Sequence, residues 1–125
     1  MINSIISYLK ERDIRYNTPD TTLVEFSLSG LNFLFQYREE EDPQFIRLLL
    51  PKVEGVKENE NDVFKRMIDV TSSIKAVKCV IINSEVWLSV EQFVSSTENI
   101  THILERMINV LKIAYNQYAS IASSK

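Results

Sequence analysis

AVKCVIINSEVWLSVEQF, residues 76–93, consists of two apolar runs rich in β-branched residues, separated by the polar pair Asn83-Ser84. A two-residue polar break between such runs marks a tight hairpin. With Ile82 and Glu85 flanking the turn, Ile81 faces Val86, Cys79 faces Leu88 and Val77 faces Val90, because side chains alternate between the two faces of a sheet. That apolar face needs a cover, which the rest of the chain must supply. The same register sends Val80, Ile82 and Trp87 to the opposite face, where Phe45 and Leu49 of an upstream strand would join them.

Upstream, Thr22 to Leu28 and Leu31 to Tyr37 alternate about Ser29-Gly30, with glycine suited to a turn position of positive φ. Pairing Leu28 with Leu31 sets Phe26 opposite Phe33 and Val24 opposite Phe35, so one register satisfies both strands. Arg38 to Pro43 reads as a charged loop. Gln44 to Leu50 reads as a third strand with Ile46, Leu48 and Leu50 inward, and Pro51 is expected to stop it.

Helical periodicity accounts for the remaining segments. In Met1 to Arg12, Ile2, Ile5, Ile6 and Leu9 form one stripe; the turn formers Tyr16-Asn17-Thr18-Pro19-Asp20 follow it. After the polar connection from Val53 to Glu60, a helix capped by Asn59 or Asn61 carries Val63, Phe64, Met67, Ile68, Val70 and Ile74 over an arc of about 160°. That is wider than one packing surface requires. Ser95 and Glu98 have capping-box spacing ahead of a long helix whose apolar side runs from Ile100 to Tyr118, with only Ile113 on the wrong face.

The expected architecture is therefore α+β, one domain over residues 1–125, with an antiparallel five-stranded sheet and three helices in the order α-β-β-β-α-β-β-α. The terminal helices are expected on the apolar sheet face. The middle helix is left free to sit elsewhere, including over the outer face.

Composition excludes several function classes. The chain has 125 residues, enough for roughly two-thirds of its unfolded surface to be buried in one core. Hydrophobic residues make up 45% and charged residues 25%, which places it among ordinary globular domains. Net charge is -3, with Lys and Arg scattered, so the basic footprint of a nucleic-acid binder is missing. Cys79 is the only cysteine, which rules out an intramolecular disulfide and a Cys-based zinc site and suits a reducing cytoplasm. Neither a signal peptide nor a membrane span is visible, and cytoplasmic localisation is expected.

The chemistry-bearing residues also have ordinary explanations. His102, the single histidine, projects from the polar side of the last helix, and no G-x-S-x-G turn accompanies it. Cys79 falls on the inward face of its strand, where a thiol behaves as a small hydrophobe. Two glycines cannot build a phosphate-binding loop, and the carboxylates from Glu39 to Asp42 lack the pattern of a calcium loop. No catalytic residue, cofactor or metal ligand is expected, and the protein is read as a non-enzyme.

The segments YLKERDIRY leading into TLVEFSLSGLNFLFQY, FIRLLLPKV before the middle helix, and VKCVIINSEVWLSVEQFV ahead of ITHILERMINVLKIAY resemble the type III secretion chaperone-like fold. Within it the chain looks most like the YbjN-like family of bacterial sensory transduction regulators. The resemblance spans nearly the whole chain and implies a non-enzymatic protein that dimerises and binds other polypeptides. It carries over no catalytic residue. The outward apolar residues agree with that implication, since monomers seldom leave a contiguous apolar patch in water. The candidate protein interface is Phe64, Ile68, Val70, Ile74, Val80, Ile82 and Trp87, serving a homodimer and a polypeptide client. The alternative is a small-ligand-binding protein or weak enzyme with a pocket between sheet and helices.

Overall fold

Both hairpins form in the expected registers. The computed structural model describes residues 2–38, 44–57, 61–95 and 99–123. Residues 39–43 of the charged loop, the alternative cap Asn59 and the Glu98 half of the capping box lie outside them. The elements are α1 (Ile2–Glu11), β1 (Tyr16–Asp20), β2 (Leu23–Leu28), β3 (Leu31–Arg38), β4 (Phe45–Gly55), α2 (Asn61–Ser73), β5 (Val77–Ile82), β6 (Glu85–Phe93) and α3 (Ile100–Ser123). Phe26 faces Phe33 and Val24 faces Phe35 between β2 and β3, while Cys79 faces Leu88 and Ile81 faces Val86 between β5 and β6. The central turn residues Ser29 and Gly30, and likewise Asn83 and Ser84, all have positive φ. This conformation matches a two-residue turn to the right-handed twist of its strands.

The five-stranded expectation is corrected: the sheet has six antiparallel strands, in the spatial order β1-β2-β3-β4-β6-β5, and the chain order is α-β-β-β-β-α-β-β-α. The added strand is β1, which covers the turn-former cluster Tyr16–Asp20. Its Pro19 donates no backbone hydrogen bond, which an edge strand tolerates, and its pairing with β2 shifts register between Asn17 and Asp20. The chain enters it through Asp13, whose positive φ closes α1 while Asp13 N–H donates to Lys10 C=O and Ile14 N–H to Leu9 C=O. This is the Schellman pattern, here with aspartate in the left-handed position.

Pro51 does not end β4. The ladder between β3 and β4 runs only from Leu34–Leu49 to Arg38–Phe45, so at Pro51 no hydrogen bond to β3 is lost. On the other side Leu50 pairs with Leu88 and Glu54 with Val86, which leaves Pro51, Lys52 and Val53 opposite Trp87 alone. The two extra residues form a bulge, with Lys52 at φ 56°.

All three helices lie on the same sheet face. Ile5 and Leu9 of α1, Val63 and Val70 of α2, and Leu104, Leu111 and Ala114 of α3 share one core with Phe35, Leu48, Leu88 and Val90 from the sheet. Burying such aliphatic and aromatic side chains stabilises by about 1.5–3 kcal/mol each, so this layer supplies most of the driving force. The middle helix does not cover the outer face. α3 begins at Ile100 under a cap supplied by Asn99, whose Oδ1 accepts from His102 N–H at 3.3 Å and Thr101 Oγ1 at 2.8 Å, so the helix starts after the expected capping box.

Candidate functional site

The expected interface residues separate into three groups. Val70 is fully buried in the core and Ile74 packs half-buried against it, so that flank of α2 is turned to the core. Val80 and Trp87 face one another across β5 and β6 on the outer sheet face, both half-buried. Phe64, at 40% exposure, and Ile68, at 66%, stand out on the other flank of α2, and Ile82 is exposed at the hairpin turn. The sequence leaves one flank of α2 spare, and the structure identifies it as the Phe64–Ile68 flank.

That flank stands beside β5. Phe64, Met67, Ile68, Thr71, Ser72 and Cys79 line an open hollow of about 310 Å³ between helix and strand. β5 is an edge strand. Because Ile82 and Glu85 flank a two-residue turn, they exchange both backbone hydrogen bonds; Lys78 and Val80 likewise bond to β6, and the N–H and C=O of Val77, Cys79 and Ile81 point away from the sheet. Ile81 adds 41% exposure on the helix side. Open backbone groups and apolar side chains thus share one margin of the molecule.

The outer sheet face is more self-satisfied than its sequence implies. Leu49 and Ser89 are buried there, and Arg47 crosses it, donating from Nε to Glu91 Oε1 at 3.1 Å and from Nη1 to Gln36 Oε1 at 3.3 Å. Lys78 reaches the same Glu91 oxygen at 3.3 Å. Desolvation works against ionising Glu91, but Arg47 and Lys78 outweigh it and hold this carboxyl below its ordinary value. Phe45 and Phe93 meet edge to face at 6.4 Å, though Phe93 remains 67% exposed.

Sequence reasoning missed a buried ionic cluster. Arg66 of α2, only 6% exposed, donates through Nε to Glu54 Oε2 at 3.3 Å and through Nη2 to Glu54 Oε1, and the Tyr118 hydroxyl of α3 donates to Glu54 Oε2. The guanidinium also lies 5.6 Å from the Tyr118 ring centroid. Burial, then the Glu54 carboxylate, push the Tyr118 phenol far above its ordinary pKa, so it stays a neutral donor. Glu54 lies just beyond the β4 bulge, so the cluster ties that strand end to α2 and α3. The available signal was Tyr118 itself, since a hydroxyl on a core-facing helix position needs a partner.

His102 is exposed at the start of α3, and its backbone, not its ring, makes the capping bond. Burial raises the Cys79 thiol pKa, and Thr71 beside it offsets that only in part, which favours the protonated thiol. Among the described residues no three His, Cys, Asp or Glu side chains gather as a metal site, and no helix is long and apolar enough to cross a membrane. No protein-family model matches the chain, and no curated protein matches it significantly.

Proposed function

We propose that this protein is a non-catalytic, cytoplasmic polypeptide-binding module, chaperone-like or regulatory, which takes up an extended strand along β5 and dimerises through the same margin. One observation carries the reading. Of the six large apolar side chains exposed among the described residues, four (Phe64, Ile68, Ile81 and Ile82) lie on β5 or the α2 flank beside it. A strand added there would find outward-pointing backbone partners at Val77, Cys79 and Ile81, and apolar contacts for its alternate side chains. A second copy satisfies the same requirement through a two-fold axis, which lays β5 antiparallel to its mate and brings the two α2 flanks together.

The resemblance to the type III secretion chaperone-like fold and to YbjN-like regulators supports this reading in kind. The alternative, a pocket between sheet and helices, receives no support from the interior, where Phe33, Phe35, Leu48, Leu88, Leu104 and Leu111 are almost completely buried in one packed cluster. Light scattering across a concentration series tests the proposal. The unaltered chain is expected to approach twice its 14.5 kDa mass at micromolar concentration. Ile68→Glu should stay monomeric with stability within about 0.5 kcal/mol, because the replaced side chain is largely solvated in the monomer. A monomeric mass at every concentration would reject the dimer.

A further inference from the structure

The outer sheet face contains a notch that the polypeptide-binding reading does not use. The β3–β4 ladder stops at Leu34–Leu49, and beyond it the bulge carries Pro51 and Lys52 past the Leu31–Phe33 end of β3 with no pairing between them. The result is a half-open groove of about 660 Å³, within the range of small-molecule sites. Trp87, Leu34 and Pro51 give it apolar walls, while Arg15, Asn17, Glu25, Ser27, Asn32 and Lys52 bring polar groups to it.

Its hydrogen-bonding capacity is unbalanced toward donors. Ser27 Oγ donates to Asn32 Oδ1 at 2.6 Å, and among the described residues the Asn32 NH₂ group has no hydrogen-bond partner. Trp87 Nε1 is buried and has no hydrogen-bond partner among the described residues. A buried N–H without an acceptor is unfavourable, and natural structures rarely keep one without reason. Arg15 and Lys52 make no ion pair among the described residues, and Glu25 is the single anion lining the groove. Lys52 is held at the groove by a backbone conformation that a lysine adopts at a cost, and bulges with such residues are enriched at binding sites.

We propose that this groove binds a small organic carboxylate bearing a flat apolar group, with the carboxylate met by Arg15, Lys52 and the Asn32 NH₂ group and the apolar group lying against Trp87, Leu34 and Pro51. Two cations against one anion favour a ligand of single negative charge. The site is separate from β5, so its failure would leave the polypeptide-binding reading untouched.

Trp87 is the only tryptophan, so its indole N–H gives one proton–nitrogen NMR signal that reports on the groove directly. Titration with 3-phenylpropionate should move that signal saturably as the phenyl group packs against the indole, with the neutral 3-phenylpropionamide binding at least about tenfold more weakly. Arg15→Met and Lys52→Asn should each weaken the carboxylate about tenfold, the asparagine being chosen because it tolerates positive φ. Equal binding of acid and amide, no saturable shift up to about 10 mM ligand, or binding indifferent to both substitutions would each overturn the proposal.

Discussion

The sheet has two edges, and they are built in opposite ways. β1 carries Pro19 and an irregular register, and four of its five residues are exposed with no large aliphatic side chain among them. These are devices by which natural proteins keep an edge from pairing with another chain. β5, VKCVII, has neither proline nor bulge, pairs in unbroken register with β6, and presents Ile81 and Ile82 to solvent. Lys78 is its only charged residue, and that ammonium is turned back to Glu91. That one edge is protected and the other is not is the ground for proposing that β5 pairs with a partner.

The largest effect that sharpens this contrast concerns what holds α2 over β5. Arg66→Met would leave the Glu54 carboxylate without its cation and with the Tyr118 hydroxyl as its remaining donor, and the loss should be about 3 kcal/mol, the lower end for a broken buried pair because Glu54 retains 28% exposure. Urea unfolding measures it, and adding Glu54→Gln should recover part of the loss. Hydrogen exchange in the same variant should rise in α2 and β5 before it rises in β1 and β2.

A smaller effect sets the two edges against each other directly. Ile81→Lys imports the protection that β5 lacks, and it should weaken self-association by about tenfold or more while leaving the monomer folded. Thr18→Lys on β1 should change association by less than about twofold, since that edge is already closed to pairing. Equal responses at the two positions would mean that the edges do not differ in function.

The same contrast explains what was legible in the sequence. Both hairpins could be read because apolar alternation and a two-residue turn are local signals, and the pairs Phe26–Phe33 and Cys79–Leu88 follow by counting from the turn. β1 could not, because a solvated edge strand needs no apolar alternation, and Pro19 among turn formers resembles a turn. Pro51 misled for a related reason: proline breaks a ladder only where its N–H is needed, and the β3 ladder had already ended at Leu49. The width of the α2 arc showed that a flank was spare, but choosing Phe64 and Ile68 required knowing where β5 lies beneath the helix. Glu54, Arg66 and Tyr118 meet across 12 and 64 residues of sequence separation, beyond the reach of any periodicity. The groove at Trp87 depends on the bulge opposite it, which no motif announced.

The central claim is that the backbone of β5 is the pairing surface, and residue-resolved hydrogen exchange as a function of protein concentration tests it most directly. The amides of Val77, Cys79 and Ile81, which point away from β6, should become protected as concentration rises, while the amides of β1 exchange at an unchanged rate. Exchange at those three amides that is independent of concentration, or protection that grows equally on β1, would contradict the account.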